Sequence, residues 1–179
     1  MKPIYSLTVV IILLLPGIAI GQESIAKSPF DPVKFFVGHW QGTSQGEPGK
    51  GKGDRNYEFV FGGKFLRATN KTVYPPQEKN PKGEVHEDVG FFSFDRQRKR
   101  LVLRQFHVEG FVNEYVEQEG KDGKTLAFET ERIENIPDGW RARETYRIVS
   151  QDEFIEVFEL AEPKKEFAVY SQSHWKRVK

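Results

Sequence analysis

The feature that most constrains this chain is a succession of short alternating segments, separated by turn residues, between residues 38 and 176. The breaks are rich in glycine, proline and charged turn residues, and no long helical period lies between them. Parallel strands need long crossover connections, so these short connections predict antiparallel neighbours in sequence order. The predicted strands are 38–45, 54–61, 64–74, 85–94, 100–107, 111–118, 124–132, 139–148, 153–160 and 166–176.

Alternation within the segments predicts one buried and one solvent-exposed face. Tyr146 and Ile148 share one face of their strand, whereas Arg143 and Arg147 share the other. A meander without covering helices leaves two open edges, and closure removes them. We therefore expect an all-β fold, a ten-stranded antiparallel up-and-down β-barrel of the calycin type. A short N-terminal helical turn at 31–38 precedes it, with Asp31 and Pro32 at its start.

The number of strands bears on what such a barrel can hold. A barrel of about eight strands is just filled by its own side chains, and a larger one leaves room for a small guest. The sequence therefore predicts an enclosed cavity.

The first 21 residues predict a secretory signal peptide. Lys2 precedes an apolar stretch at 7–15 that is too short for the ~20 residues of a spanning helix, and Ala19 and Gly21 fit a cleavage site. An uncleaved anchor is the alternative. We expect cleavage near Gly21, an N-terminal linker at 22–32, a barrel domain at 33–179 and no membrane span in the mature chain. The location would be extracytoplasmic, either periplasmic or secreted.

The composition excludes two classes of function. The chain has no cysteine, so it carries neither a disulfide framework nor a thiolate site. Its 27 lysine and arginine residues nearly balance 26 acidic residues, which argues against nucleic acid as a partner. The sequence leaves the oligomeric state open.

Two charged residues fall in the apolar register of their strands. Glu144 lies in the register of Tyr146 and Ile148, and Arg132 lies in the register of Phe128. A buried charge is costly unless it is paired. The two residues are therefore expected either to form a structural pair inside the barrel or to contact a ligand.

The segment "FFVGHWQG" at 35–42 resembles the Gly-X-Trp element that opens the first strand of lipocalin-type barrels. The resemblance implies that Gly38 and Trp40 close one end of the barrel. Arg177 in the C-terminal "HWKRVK" is the candidate for a cation–π contact with the tryptophan.

Three further segments resemble the nitrobindin family of haem-binding, fatty-acid-binding-protein-like barrels. They are "VHEDVGFF" at 85–92, "LVLRQFHVEGFVNEYVEQEG" at 101–120 and "YSQSHWKRV" at 170–178, and the resemblance covers roughly residues 33–179. It implies a ten-stranded barrel, haem b as cofactor and isomerisation of peroxynitrite to nitrate. Tyr170 stands where the family has its haem-ligating histidine, so the implied metal ligand is a phenolate.

The same resemblance suggests roles for two histidines. His174 has the parity of Tyr170 and is expected to face the same way, about 13 Å along the strand. His86 becomes a cavity-lining residue on the fourth strand, and the alternative is a surface histidine beside Glu87 and Asp88.

Other motifs are incomplete. "GEPGKGKG" at 46–53 lacks the Ser or Thr and the helix of a phosphate-binding loop, and it is interpreted as a flexible hairpin loop. His107 and Glu109 lie beside a turn with no third metal ligand in spacing. No catalytic residue is predicted.

The first hypothesis is an exported barrel that binds a small, largely apolar ligand through His86, Glu144, Tyr170 and His174. The second is a ferric haem protein acting on peroxynitrite or nitric oxide, which would make it an enzyme. The third is a structural envelope barrel with a filled interior.

Overall fold

The computed structural model describes residues 28–119 and 123–179, which form one 3-10 helix and ten strands. The predicted signal peptide and most of the linker lie outside the described residues. The 3-10 helix spans Asp31–Phe36 and has proline in its first turn. The strands are β1 (Gly38–Gly46), β2 (Gly49–Val60), β3 (Phe65–Tyr74), β4 (Glu84–Asp95), β5 (Arg100–His107), β6 (Val112–Glu117), β7 (Thr125–Glu134), β8 (Arg141–Ser150), β9 (Glu153–Ala161) and β10 (Ala168–Arg177).

The strands form a closed barrel in which each strand pairs with its sequence neighbours and β1 also pairs with β10. Every pairing is antiparallel, and Trp40 of β1 lies between Arg55 of β2 and Arg177 of β10. The predicted ten-stranded up-and-down barrel with a short N-terminal helical turn is therefore confirmed. Within residues 28–119 and 123–179, no helix has the length and apolar character needed to cross a membrane.

Aromatic and aliphatic side chains fill the end of the barrel at which β1 begins and β10 ends. The largest fully buried side chains are Trp40, Trp175, Tyr57, Tyr115, Tyr146, Phe36, Phe92, Phe128, Phe154, Leu66, Leu101 and Leu103. The 3-10 helix contributes to this core through Val33 and Phe36. Phe30 also belongs to it and packs edge-on against Phe59 at a centroid distance of 5.7 Å. Among the described residues, the core therefore includes Phe30, which belongs to the segment expected to be a linker.

The contact between Trp40 and Arg177 seals this end. The Arg177 guanidinium carbon lies 4.1 Å from the Trp40 ring centroid, so the predicted cation–π contact is present. The guanidinium also donates to the carbonyl oxygens of Phe35 and Val37 at 2.8 and 2.6 Å. Gly38 has a φ of +120°, and a Cβ there would lie 3.1 Å from Arg177 Nη1. The glycine thus lets the chain turn from the helix into β1 beneath the arginine.

The glycine-rich stretch at 46–53 is a tight hairpin with most of its glycines in strand, and the interpretation as a flexible loop is wrong. β2 begins at Gly49, five residues before the predicted start. The glycines at 51 and 53 lie against aromatic rings inside the barrel. A Cβ on Gly51 would lie 2.7 Å from Tyr74 Cδ1, and one on Gly53 would lie 2.4 Å from Trp175 Cη2. The two glycines therefore make room for the two rings. The composition of the stretch, which is typical of a turn, did not indicate this role.

Replacing Gly53 by alanine is expected to destabilise the barrel by about 1–3 kcal/mol, because the new methyl group overlaps a fixed ring. Trp175 cannot easily retreat, since its Nε1 donates to Glu156 at 2.8 Å and its ring stacks on Phe154. Urea unfolding measures the loss. Gly123→Ala is the control because no atom of the described residues lies within 4 Å of a Cβ at that position. Equal midpoints for the two variants would contradict this account.

Candidate functional site

A cavity of about 810 Å³ occupies the other half of the barrel, above the aromatic core. Its outer end is lined by residues of the β1–β2, β5–β6 and β7–β8 connections, together with the end of β3 and the start of β4. The interior is thus filled only at the end closed by Trp40 and Arg177. The expected cavity is present, and a barrel filled throughout is not what the chain forms.

The wall of the cavity is largely apolar. The side chains that share this character are Tyr74, Val85, Val108, Phe111, Ile133, Ile136, Trp140, Ala142, Phe158 and Leu160, with Pro48 and Pro137 near the connections. Ala142 comes from the alternating stretch of β8 that predicted an inward face, and it is fully buried.

A buried ion pair between Arg55 and Glu156 forms the floor. Arg55 Nη1 lies 2.7 Å from Glu156 Oε1, and the two side chains are only 8% and 7% exposed. The same guanidinium donates to the Tyr57 hydroxyl and to Asn70 Oδ1 at 3.1 Å each, and it lies 4.3 Å from the Trp175 ring centroid. A buried charge is tolerated when it is paired and hydrogen-bonded, and both conditions hold here.

A chain of polar contacts runs from this floor to the outer end of the cavity. Asn70 Nδ2 donates to Asp88 Oδ2 at 2.8 Å, and His86 Nε2 lies 3.5 Å from the same oxygen. His86 Nδ1 lies 2.8 Å from Glu109 Oε1. Burial alone lowers the pKa of His86, but its hydrogen bonds with Asp88 and Glu109 outweigh burial and raise the pKa to about 9. His86 is therefore a cationic group at neutral pH.

His107, opposite Asp88 in the β4–β5 register, is different from His86. Burial lowers the pKa of His107 to about 4, and the nearby charge of His86 adds to the effect, so this imidazole is neutral at pH 7. Its ring stacks on Phe111 at a centroid distance of 4.2 Å, and its Nε2 lies 3.3 Å from Asn113 Nδ2. The two histidine rings have centroids 5.4 Å apart.

Glu144 lies on the floor beside Glu156. It is buried, and burial followed by the charge of Glu156 raises the pKa of Glu144 well above the usual carboxyl range. Two carboxyl groups in a low-dielectric site cannot easily both ionise, and Glu156 is the one that faces Arg55. Glu144 is therefore the protonated member of the pair.

Four buried side-chain atoms that line the cavity have no hydrogen-bond partner among the residues that the structure describes. They are Gln105 Oε1, His107 Nδ1, Asn113 Oδ1 and Glu144 Oε2. Unpartnered buried polar atoms are uncommon in native proteins, and each calls for an explanation such as a bound molecule. Their concentration in one cavity marks it as the candidate site.

Three of the four predicted ligand contacts line this cavity. His86, Glu144 and Tyr170 are part of the lining. Tyr170 occupies a β-bulge, because the β9–β10 register shifts between Val169 and Ser171. Its ring packs edge-on against Phe158 at 5.7 Å. Burial, followed by the charge of Glu84, raises the pKa of Tyr170 above its usual value.

The expectation that His174 faces the same way as Tyr170 is wrong. His174 does not line the cavity, and its imidazole contacts the carboxylate of Glu153 at the partly exposed outer surface. The bulge at Tyr170 explains the error, since one extra residue reverses the alternation of side chains along a strand. Ser171, Ser173 and Trp175 point inward instead.

Arg132 shows the same effect, and the proposed pair with Glu144 is wrong. The β6–β7 register shifts next to Tyr115, so that Glu131 is an extra residue and Arg132 turns outward. Its side chain is 71% exposed and lies 3.6 Å from Glu134. The cation that lies among the floor carboxyl groups is Arg55, which sequence reasoning missed.

The structure also supplies the third ligand that His107 and Glu109 lacked in sequence. His86, from the neighbouring strand, places a ring nitrogen close to both, and the three donor atoms lie within 4.8 Å of one another. Asn70, Asp88, Gln105, Asn113 and Glu156 were missed as well. On its strand, each of these residues shares a face with apolar residues, and this was the signal available in the sequence, as it was for Glu144.

Comparison with known proteins gives the fold but no family. No family model matches the sequence, and no curated protein matches it. The crystal structure of Rv2717c from M. tuberculosis aligns with 86% of this chain and 99% of its own, with a TM-score of 0.66 and 17% identity. A de novo designed fluorescence-activating β-barrel aligns with 83% of this chain and 98% of its own, with a TM-score of 0.43 and 11% identity.

The likeness is one of fold. At 17% identity the structure of Rv2717c supports a shared fold alone, and membership of the nitrobindin family stays a prediction.

Proposed function

We propose that this protein binds a small amphipathic molecule whose apolar body contacts the cavity wall and whose uncharged, hydrogen-bond-donating end reaches the floor. The observation that carries the proposal is the cavity of about 810 Å³ lined by four unpartnered buried polar atoms. Ligand sites typically measure ~300–1,000 Å³ and combine apolar walls with a few polar groups. This cavity has both properties.

The polar end of the ligand follows from the chemistry of the unpartnered atoms that line the cavity. Gln105 Oε1 and Asn113 Oδ1 are acceptors only, so a ligand must bring N–H or O–H groups to satisfy them. An unsatisfied buried acceptor costs about 1–3 kcal/mol, which a donor on the ligand would recover. A hydroxyl or a primary amide fits this requirement.

A carboxylate end fits poorly. Glu84, Asp88, Glu109 and Glu156 are all part of the lining. Among the described residues that line the cavity, Arg55 is the only arginine or lysine, and its guanidinium is already bonded to Glu156. The other cation of this lining, His86, is already paired with Asp88 and Glu109, so a fatty acid anion would meet acidic groups and no unpaired cation among these residues.

Haem, the alternative that the nitrobindin resemblance implies, also fits poorly. Iron ligation by Tyr170 needs a phenolate, but burial and the nearby Glu84 hold the pKa of Tyr170 above its usual value. The negative surroundings likewise disfavour anionic propionate groups. His174 faces away from the cavity and cannot replace Tyr170. We expect added hemin to keep the absorption spectrum of free hemin. A shifted, protein-bound Soret band that is lost in Tyr170→Phe would restore the haem alternative.

Ligands that share one chain length test the binding proposal directly. We expect 1-decanol and decanamide to raise the melting temperature of the protein and decanoate to leave it unchanged. A ligand at about 100 times its Kd stabilises the folded state by about 3 kcal/mol, which a thermal melt detects. Native mass spectrometry of the protein from its own host would show a copurified molecule of the same class.

Two substitutions on β10 provide the matched controls. Ser171 lines the cavity, so Ser171→Phe should fill the ligand's space and abolish the shift. Gln172 is exposed, so Gln172→Phe should keep it. Equal shifts in both variants would exclude the cavity as the site. A shift with decanoate as large as that with 1-decanol would contradict the proposed polar end.

We also propose that the protein acts outside the cytoplasm after removal of the leader. The basis is the sequence pattern of the first 21 residues. N-terminal sequencing of the exported protein is expected to begin near Gln22. A chain that retains its N-terminus in the cytoplasmic fraction would contradict export.

A further inference from the structure

We propose that His86, His107 and Glu109 form a binding site for a divalent transition metal ion, with zinc as the best match, at the edge of the cavity. The site goes beyond the proposed small-molecule binding and does not depend on it. Two imidazoles and one carboxylate come from β4, β5 and the turn after β5. Their donor atoms already lie within 4.8 Å of one another.

His107 provides the strongest geometric argument. Its Nδ1 is buried and has no hydrogen-bond partner within the described part of the chain. Stacking on Phe111 holds the ring, and Nε2 faces the amide of Asn113. If that amide turns so that Oδ1 accepts from Nε2–H, the lone pair of Nδ1 is free for a metal ion. Gln105 Oε1 then remains as the free acceptor for the small molecule, so the two sites do not compete.

His86 has the support that metal-binding histidines usually have. Its Nε2 faces Asp88, while its Nδ1 points at Glu109. A histidine that donates one ring N–H to a carboxylate and binds the metal through the other nitrogen is the common arrangement. Asp88 is buried and is itself held by Asn70 at 2.8 Å. The orienting contacts are therefore built into the fold.

Only modest movements of the three donor atoms are needed for binding. Ligand atoms around a tetrahedral zinc ion at ~2.0–2.1 Å lie about 3.4 Å apart. The widest separations, within 4.8 Å, must shorten, whereas the 2.8 Å between His86 Nδ1 and Glu109 Oε1 must lengthen. The metal ion would take the place of the proton between these two atoms, and that proton would be released to solvent. Glu109 belongs to a turn and is 40% exposed, so its side chain can adjust.

The donor set indicates which ions bind. Two nitrogens and one oxygen suit borderline ions such as Zn²⁺, whereas Mg²⁺ and Ca²⁺ prefer sites made of oxygen atoms. Three protein ligands leave a fourth position open, and all three residues line the cavity. A bound ion would thus present its open position to a molecule inside the barrel.

Isothermal titration of the tag-free, chelator-washed protein with Zn²⁺ tests the site. We expect one ion per chain, no heat from Mg²⁺, and at least a hundredfold weaker binding in His107→Ala. Glu109→Gln lies on an exposed turn and leaves the barrel intact, so it should weaken binding at least tenfold with an unchanged thermal melt. Asp88→Asn should weaken binding about 10–100-fold through His86.

The remaining two histidines supply the control. His39 pairs with Asp54 and His174 pairs with Glu153, both on the outer surface. The double variant His39→Gln, His174→Gln should bind Zn²⁺ as tightly as the parent protein. The proposal is overturned if the parent binds no Zn²⁺, if the double variant loses binding, or if Glu109→Gln and His107→Ala bind like the parent. None of these outcomes bears on the decanol test, so the two proposals fail separately.

Discussion

Replacing Arg55 by methionine is expected to destabilise the barrel by about 3–5 kcal/mol, measured by urea unfolding at pH 7. The substitution keeps much of the side-chain volume but removes the charge that faces Glu156, which is only 7% exposed. Breaking a buried pair from one side leaves an uncompensated charge, and that is the costly step. Tyr57 and Asn70 also lose their hydrogen-bond donor.

Arg143→Met is the matched control. Arg143 makes two hydrogen bonds with Glu159 at 2.7 and 2.8 Å, but its side chain is 34% exposed, so the pair should contribute about 1 kcal/mol or less. Combining Arg55→Met with Glu156→Gln should recover part of the loss, because no buried charge is then left alone. An Arg55→Met variant within 1 kcal/mol of the parent would show that the ion pair does not hold the floor together.

The fold could be predicted from sequence because its determinants are local. Turn residues between alternating segments give the number of strands, and short connections give their antiparallel order. The contact that closes one end of the barrel could also be predicted from the sequence, because Trp40 and Arg177 lie near the two ends of the barrel sequence. The start of β2 was not predicted, because glycines at 51 and 53 have the composition of a loop although they lie against buried rings.

The site was less predictable for two physical reasons. First, single extra residues at Glu131 and Tyr170 reverse the facing of Arg132 and His174, and nothing in the local sequence marks such bulges. Second, the decisive contacts join distant positions. Arg55 and Glu156 are 101 residues apart, and His86 meets His107 only through the β4–β5 register. The alternation of side chains along each strand could place each residue inside the barrel, but it could not predict which residues contact one another.

Replacement by glutamine is expected to change the stability of the barrel in opposite directions at Glu144 and at Glu156. Glu144→Gln should stabilise the barrel at neutral pH, whereas Glu156→Gln should destabilise it. Burial, followed by the charge of Glu156, raises the pKa of Glu144 well above its ordinary value, and Arg55 only partly opposes this. The folded state therefore keeps a proton that the unfolded state releases. A glutamine at 144 keeps a donor toward Glu156 and has no proton to lose.

The sign of the pH dependence follows from this difference. A raised pKa in the folded state contributes stability that is fully present below the unfolded pKa and is lost as the pH rises toward the folded pKa. The two proteins should be equally stable near pH 4, and the advantage of Glu144→Gln should grow by up to about tenfold in the folding equilibrium constant per pH unit above that. Urea unfolding between pH 4 and pH 8 measures it. A constant gap across this range, or a gap that shrinks with rising pH, would mean that Glu144 is ionised in the folded barrel and that the floor accepts a second negative charge.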